Sequence, residues 1–204
     1  MREEAQRIEG RLEGTLRVPD RDASAIVVIA HPLPTHGGSM RNPLIAQLAR
    51  AAAERGWYAL RFNFRGVGES SGEWSGGREE HLDLAAAVRH AREISPSLPL
   101  GVVGFSFGAH MLLRWLEQGG RADAYVLCGL PLRSATMQPL PLPPVPPGAL
   151  VVNGDHDEFA TPSEIRAAHP QARVIQIDGT DHFFAGKRDA LARVVMDHLA
   201  SSFP

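Results

Sequence analysis

Short apolar runs alternate with helix-length amphipathic stretches along almost the whole chain, and this alternation predicts an α/β fold with a mostly parallel sheet. Two further observations sharpen the expectation. The apolar runs are near-continuous rather than alternating, as strands covered by helices on both faces must be. The 204 residues suffice for one sizeable core and are short for two, so one domain over residues 1–204 is expected.

The strands are read at residues 24–31 (SAIVVIAH), 57–64 (WYALRFNF), 100–105 (LGVVGF), 123–129 (DAYVLCG), 149–153 (ALVVN) and 173–177 (RVIQI). Helical spacing falls over residues 42–55, 78–93, 106–118, 162–168 and 188–199. In the first of these Leu44, Ile45, Leu48, Ala49 and Ala52 share a face, and Gly56 follows as a helix-ending residue would. Residues 7–18 (RIEGRLEGTLRV) alternate apolar and polar, which suggests an antiparallel hairpin at the sheet edge. One connection differs. Residues 131–148 (PLRSATMQPLPLPPVPPG) join two strands with seven prolines and no helical period, and are read as a polyproline-like crossover.

Composition excludes several classes of function. A net charge of -2 leaves no electrostatic footprint for nucleic acid or an anionic membrane. The longest apolar stretch, near residues 25–30, falls far short of the ~20 residues a membrane span needs. The N-terminus, MREEAQRIEG, lacks the apolar core of a secretory signal. Cys128 stands alone in an apolar run, which fits a buried thiol in a reducing compartment, so a cytoplasmic protein is expected.

The chemistry centres on Gly104-Phe105-Ser106-Phe107-Gly108, between a predicted strand and a predicted helix. A serine so placed is a nucleophile elbow, a turn so tight that the residues two before and two after it have little room for a Cβ. A serine hydroxyl attacks only when a base takes its proton and a carboxylate holds that base in the right tautomer. After such an elbow the acid comes next in the chain and the histidine last. His182, in the loop GTDHFF after the last predicted strand, is the expected base. His110 faces away on the elbow helix, His169 ends a helix, and His198 reads as a surface residue of the last helix. The acid belongs in Gly154-Asp155-His156-Asp157-Glu158. Asp155 lies nearest the strand end and suits a turn cap; Asp157 lies where a loop returns towards His182 and is favoured, with Glu158 a weaker third.

A tetrahedral intermediate needs two preorganised donors. The backbone N–H of Phe107, at a helix N-terminus, is one. The loop His31-Pro32-Leu33-Pro34 should provide the other, and because proline has no N–H, Leu33 is left by elimination. His31 reads as a structural hydrogen-bonder. Leu33, Phe107, Phe159 and Phe183 are expected to wall a shallow apolar groove, with Phe159 and Phe183 contacting substrate.

Competing readings are weaker. Gly66-Val67-Gly68-Glu69-Ser70-Ser71-Gly72 follows a strand but misses the dinucleotide spacing, so a tight loop over the sheet rim is expected instead of a phosphate cradle. Arg65 at its head is read as a structural ion-pair partner rather than an anchor for a substrate carboxylate. His31, His36, Asp155, His156, Asp157 and His182 lack the helical His pair or Cys ligand of a metal site, so no metal is expected.

The stretches HPLPTHGGSMRNPL, RFNFRGVGESSGEW, GFSFGAH, VVNGDHDEF and GTDHFFAGK, in this order and spacing, resemble the small cap-less bacterial α/β-hydrolases related to dienelactone-hydrolase-like esterases. The resemblance covers nearly the whole chain. It implies a doubly wound sheet of about eight strands without a cap domain, a triad on Ser106, Asp157 and His182, and no cofactor. It implies hydrolysis of small carboxylic esters through an acyl-enzyme. The sequence departs from many relatives at HPLPTHGG, where Leu33 stands in place of a second histidine; a donor from the backbone amide is unaffected. Thioester hydrolysis and acyl transfer use the same residues. A non-catalytic ligand-binding protein on this fold is the alternative of another class, although such proteins usually lack the nucleophile or the base.

Overall fold

In the computed structural model, which describes residues 1–134 and 142–203, the apolar runs at the centre of the sheet are strands buried on both sides, while residues 173–177 form a partly exposed edge strand. The chain runs β1 (Arg2–Ile8), β2 (Leu12–Val18), β3 (Ile26–Ala30), α1 (Pro43–Glu54), β4 (Tyr58–Phe62), α2 (Glu80–Ile94), β5 (Leu100–Phe105), α3 (Phe107–Glu117), β6 (Ala124–Cys128), β7 (Leu150–Gly154), α4 (Pro162–Ala168), β8 (Arg173–Ile177) and α5 (Arg188–Ser202). Side chains alternate across the sheet because successive Cβ atoms of a strand point to opposite faces. Ile26, Val28, Leu100, Val102, Leu127 and Val151 pack into one layer with α2, α3 and α4. Val27, Ile29, Val103, Val126, Leu150 and Val152 pack into the other with α1 and α5.

The eight strands form one sheet in the order β1-β2-β4-β3-β5-β6-β7-β8. β1, β2 and β4 pair antiparallel, and every later pairing is parallel. The edge hairpin is longer than the alternation suggests. It begins at Arg2 because residues 2–6 pair with β2 through the backbone while their side chains stay exposed or half-buried, leaving no apolar period to read. Residues 135–141 of the proline-rich crossover lie outside the described residues, and so does most of its reading as a polyproline segment.

The topology positions the site. From β3 the chain crosses to β4 on one side, and its next crossing, through α2, reaches β5 on the other. β3 and β5 are neighbours, with Ala30 opposite Gly104. Loops leaving their C-terminal ends therefore diverge, and such a switch point is where open α/β sheets bind ligands.

Local sequence explains the helix ends. Asn42 Oδ1 accepts the Leu44 N–H at 2.9 Å ahead of Pro43, and Gly56 takes the left-handed φ of 84° that ends α1. Thr161 and Glu164 form a reciprocal capping box on α4. His198 is buried on α5 rather than at the surface, and desolvation followed by Arg173 nearby lowers its imidazole. The helical period alone did not show that α5 packs across β6 at this point.

Two carboxylates, the buried Asp83 and the half-buried Glu13, hold the loops on the far side of the switch point. Asp83 accepts from Arg65 Nε (2.9 Å), Arg65 Nη2 (3.0 Å), the Arg65 N–H (3.0 Å) and Arg11 Nη1 (2.6 Å). Arg65 also pairs with Glu79, so its guanidinium is occupied by the protein, as expected of a structural arginine. Glu13 accepts from Asn63 Nδ2 (2.7 Å) and the Glu69 N–H (2.9 Å). A Cβ on Gly68 would lie 2.3 Å from Glu13 Oε2, so the glycine-rich loop closes on a carboxylate of its own chain.

Removing Asp83 takes the main partner from the half-buried guanidinium of Arg65 and leaves the Arg65 N–H without its acceptor. Asp83→Ala is expected to lower the unfolding free energy by about 2–3 kcal/mol, read from urea titration. A loss below about 1 kcal/mol, the scale of a surface pair, would show that the network is not a stabilising hub.

Candidate active site

Ser106 lies between β5 and α3 with φ 53° and ψ -114°, a conformation side chains seldom adopt. The glycines around it are sterically required. A Cβ on Gly104 would lie 2.4 Å from Gly108 O, and one on Gly108 would lie 2.4 Å from Ala30 O. Its N–H is held by Cys128 O at 2.9 Å, and its carbonyl accepts the N–H of Ala109 at 2.9 Å as α3 begins. The side chain is thereby presented at the C-terminal rim of the sheet.

There the structure brings Ser106, His182 and Asp157 together. His182 Nε2 lies 2.9 Å from Ser106 Oγ, and His182 Nδ1 lies 2.9 Å from Asp157 Oδ2. Both His182 and Asp157 are buried. Asp157 also accepts from Asn153 Nδ2 at 3.1 Å and, at its other oxygen, from the N–H groups of Phe159 (2.9 Å) and Ala160 (3.2 Å). Besides facing His182, its two oxygens thus accept from one side-chain amide and two backbone N–H groups.

Asp155 does different work. Its Oδ1 accepts the Thr180 N–H at 3.0 Å, tying the end of β7 to the turn before His182. The backbone N–H groups of Gly179 and Thr180 hold its carboxyl below the usual value. The approach is close: a Cβ on Gly154 would lie 2.3 Å from Thr180 O. Immediately after His182, Asp181 Oδ1 takes the N–H groups of Phe183 (3.0 Å) and Ala185 (3.1 Å), fixing the turn that carries the imidazole.

The loop after β3 lies against the elbow, since a Cβ on Gly108 would also come within 2.9 Å of His31 O. It winds into a short 3-10 turn at Pro34–His36, and Leu33 O accepts the N–H groups of His36 and Gly38. The N–H groups of Leu33 and Phe107 have no acceptor among the described residues. His31 is buried and bridges two loops: Nδ1–H donates to Pro32 O at 2.6 Å, and Nε2 accepts the Phe64 N–H at 3.1 Å.

Three rings surround His182. Phe159 meets it edge-on with centroids 4.6 Å apart, Phe183 does so at 5.3 Å, and Phe105 lies tilted at 5.4 Å. Phe183 is 51% exposed, so the wall it forms is shallow. Three neighbours were missed by the sequence reading. Trp74 packs 5.1 Å from the ring of Phe107, and an aromatic residue between glycines was the available signal. Gly129 has a φ of 54°, and a Cβ there would lie 3.1 Å from His182 Cε1. Asn153 is the third, recognisable only from its contacts. Among the described residues no group of three or more His, Cys, Asp or Glu is arranged to hold a metal ion, and no helix is long and apolar enough to cross a membrane.

Comparison with known proteins agrees with this architecture. A family model described as serine aminopeptidase, S33, matches residues 21–151, a span that includes Leu33 and Ser106 and ends before Asp157. XC6422 of Xanthomonas campestris, described as an α/β serine hydrolase without lid, is 30% identical, with a TM-score of 0.84 over 99% of this chain and 95% of that one. An α/β serine hydrolase homologue of Coxiella burnetii is 28% identical, with a TM-score of 0.81 over 97% of each chain. The uncharacterized protein RP471 of Rickettsia prowazekii (strain Madrid E) is 26% identical over 207 residues, covering 94% of this chain and 85% of its own length.

His31 makes the loop after β3 sensitive to acid. Burial pushes its imidazole down from 6.5 to about 4, against a smaller opposing effect of the bond to Pro32. Between these values the unfolded chain binds a proton that the folded chain does not, so stability is complete above 6.5 and is lost as pH falls towards 4. Across that window His31 accounts for about 3 kcal/mol. His81, His169 and His198 are lowered by burial too and act in the same direction. Urea unfolding at about pH 7 and pH 4.5 is expected to show a larger acid loss in the native protein than in His31→Gln. Equal losses would remove His31 as a source.

Proposed function

The chain belongs to the serine aminopeptidase S33 family of hydrolases, and on that premise we propose that it hydrolyses small carboxylic esters through an acyl-enzyme on Ser106. The observation that carries this reading is the unbroken hydrogen-bonded line from Ser106 Oγ through His182 to Asp157, with both links at 2.9 Å. His182 Nε2 takes the hydroxyl proton as Oγ attacks the ester carbonyl, and Asp157 holds the imidazole in the tautomer that leaves Nε2 free to accept. The N–H groups of Leu33 and Phe107 receive the developing oxyanion, each such donor being worth about 2.7–4 kcal/mol of transition-state stabilisation. Collapse of the intermediate expels the alcohol with the proton from His182. Water then attacks the acyl-enzyme by the same route and frees Ser106.

The surroundings favour an ester over an N-terminal peptide. An aminopeptidase needs a free carboxylate beside the nucleophile for the substrate's ammonium group. Asp157 is filled by protein donors, and the rings facing His182 belong to Phe105, Phe159 and Phe183. The half-buried Leu33 and Phe159 and the exposed Phe183 offer a shallow apolar wall, which suits a short acyl or alcohol chain, whereas Phe107, expected in that wall, is buried against Phe64 and Trp74. Nothing in this route calls for a metal or an organic cofactor.

Three measurements test the reading. Ser106→Ala is expected to reduce p-nitrophenyl acetate turnover by roughly 10³-fold or more; near-native turnover in folded Ser106→Ala would refute the mechanism. Asp157→Asn is expected to be far more damaging than Asp155→Asn, and the reverse order would move the acid to Asp155. Each methylene that finds surface adds about 0.8 kcal/mol, or about fourfold in kcat/KM. Across p-nitrophenyl esters from acetate to palmitate the gain is therefore expected to stop after a few carbons. A steady rise to long chains, or faster turnover of aminoacyl p-nitroanilides than of any ester, would overturn the substrate class.

A further inference from the structure

Asn153 lies one residue before the end of β7 with its side chain fully buried, and its side-chain hydrogen bonds all reach segments that the site depends on. Its Oδ1 accepts the Leu130 N–H at 3.1 Å, just beyond β6. That donor fixes which way the amide points, because an amide nitrogen there would oppose another N–H. Nδ2 therefore faces the remaining partners: Asp157 Oδ2 at 3.1 Å, Ala160 O at 2.9 Å and Leu130 O at 3.3 Å. Asp157 Oδ2 is the oxygen that holds His182. Asn153 thus ties the strand end, the loop carrying the acid and the segment around Gly129 into one unit behind the imidazole.

We propose that Asn153 is a positioning residue for the reaction, its amide N–H fixing the Asp157 carboxylate and so the aim of His182 at Ser106. This assignment rests on the ester-hydrolase reading above. A carboxylate held only by His182 and two backbone donors on its far oxygen retains a rocking motion about that far oxygen. A donor on the near oxygen restrains it, because Oδ2 is then anchored by Asn153 as well as by His182. The backbone geometry of the loop also depends on Asn153 through Ala160 O, so the acid and its support move together. Other charged groups lie around this pair: Arg133, which feels Asp157 while holding Glu158 O and Glu164, and Asp155 and Asp181 in the turn of His182. None of them donates to Asp157 Oδ2 among the described residues.

Asn153→Asp removes the amide donor to Asp157, together with its bonds to Ala160 O and Leu130 O. It preserves size and the acceptor for the Leu130 N–H, but turns an oxygen towards Asp157 in place of N–H. Asn153→Ser removes the donor without adding charge and serves also if the first variant does not fold. Both are assayed with p-nitrophenyl acetate beside Ser106→Ala, with urea unfolding as the control for structure. Both are expected to lose about ten- to a hundredfold in kcat, the range typical of residues that hold a functional group from behind, with KM changed by less than about twofold. In Asn153→Asp the acid limb of the kcat/KM profile is expected to move to higher pH, since a second carboxylate beside Asp157 favours retention of a proton by the group. Asn153→Ser is expected not to move it upward. Native kcat and an unchanged profile in a folded variant would overturn the assignment. So would a loss uniform with pH that follows the loss of stability, which is what a merely structural role produces. If Ser106→Ala keeps its turnover, the mechanism and this assignment fall together; if it is inactive while the Asn153 variants behave as native, only the assignment falls.

Discussion

The backbone of Ser106 is held at a positive φ that costs on the order of 1–3 kcal/mol for a residue with a side chain, and most of the surrounding architecture exists to keep it there. Gly104 has no space for a Cβ because the start of α3 lies against the end of β5, and Gly108 has none because the end of β3 lies against the start of α3. The Ser106 N–H bonds across to Cys128 O on β6, so the turn is locked to the neighbouring strand as well as to its own helix. A strained turn of this kind persists only when its surroundings over-determine it, and here three strands and one helix do so. The consequence is chemical: the hydroxyl stands clear of the sheet end, at the switch point between β3 and β5, where it meets an imidazole carried by a different loop.

The loops at this end of the sheet are held largely by carboxylates, the buried Asp83 and Asp157 and the half-buried Asp155 and Glu13. Asp157 gathers the segment from Asn153 to Ala160, Asp155 pins the turn before His182, Asp83 anchors Arg65 and Arg11, and Glu13 closes the glycine-rich loop. A carboxylate can accept from several directions at once, so one side chain satisfies several backbone N–H groups that a loop would otherwise leave unpaired. Polar ties of this kind fix distances more narrowly than apolar contacts, which are non-directional. That suits a site in which a displacement of about 1 Å has a large effect on rate.

Much of this was readable along the chain because its determinants are local. The elbow needs two glycines at fixed offsets from Ser106, and a linear motif records that directly. The places of Asp157 and His182 after the last two strands follow from the order of strands, and the period of apolar residues identifies the strands. The choice between Asp155 and Asp157 depended on which carboxylate the loop turns towards His182, and it was legible only as a preference. Asn153 and Gly129 were not legible. An asparagine at a strand end reads as a turn residue, and a glycine after a strand reads as a terminator. Their importance comes from Leu130, Asp157 and His182, which approach only when β6, β7 and β8 are assembled. His198 was misread for the same reason: a helical period shows which face is apolar, not whether a neighbouring element covers a histidine at its end.

The central claim is that this architecture activates one serine. An organophosphate with a good leaving group, such as diethyl p-nitrophenyl phosphate, reacts with a serine that has both a base and an oxyanion site and leaves a stable phosphoryl adduct. Intact-mass analysis followed by peptide mapping is expected to find a single diethylphosphoryl group per chain, on Ser106, formed in step with the loss of esterase activity. Full loss of activity with the adduct on another residue, or esterase turnover that survives complete modification of Ser106, would contradict it.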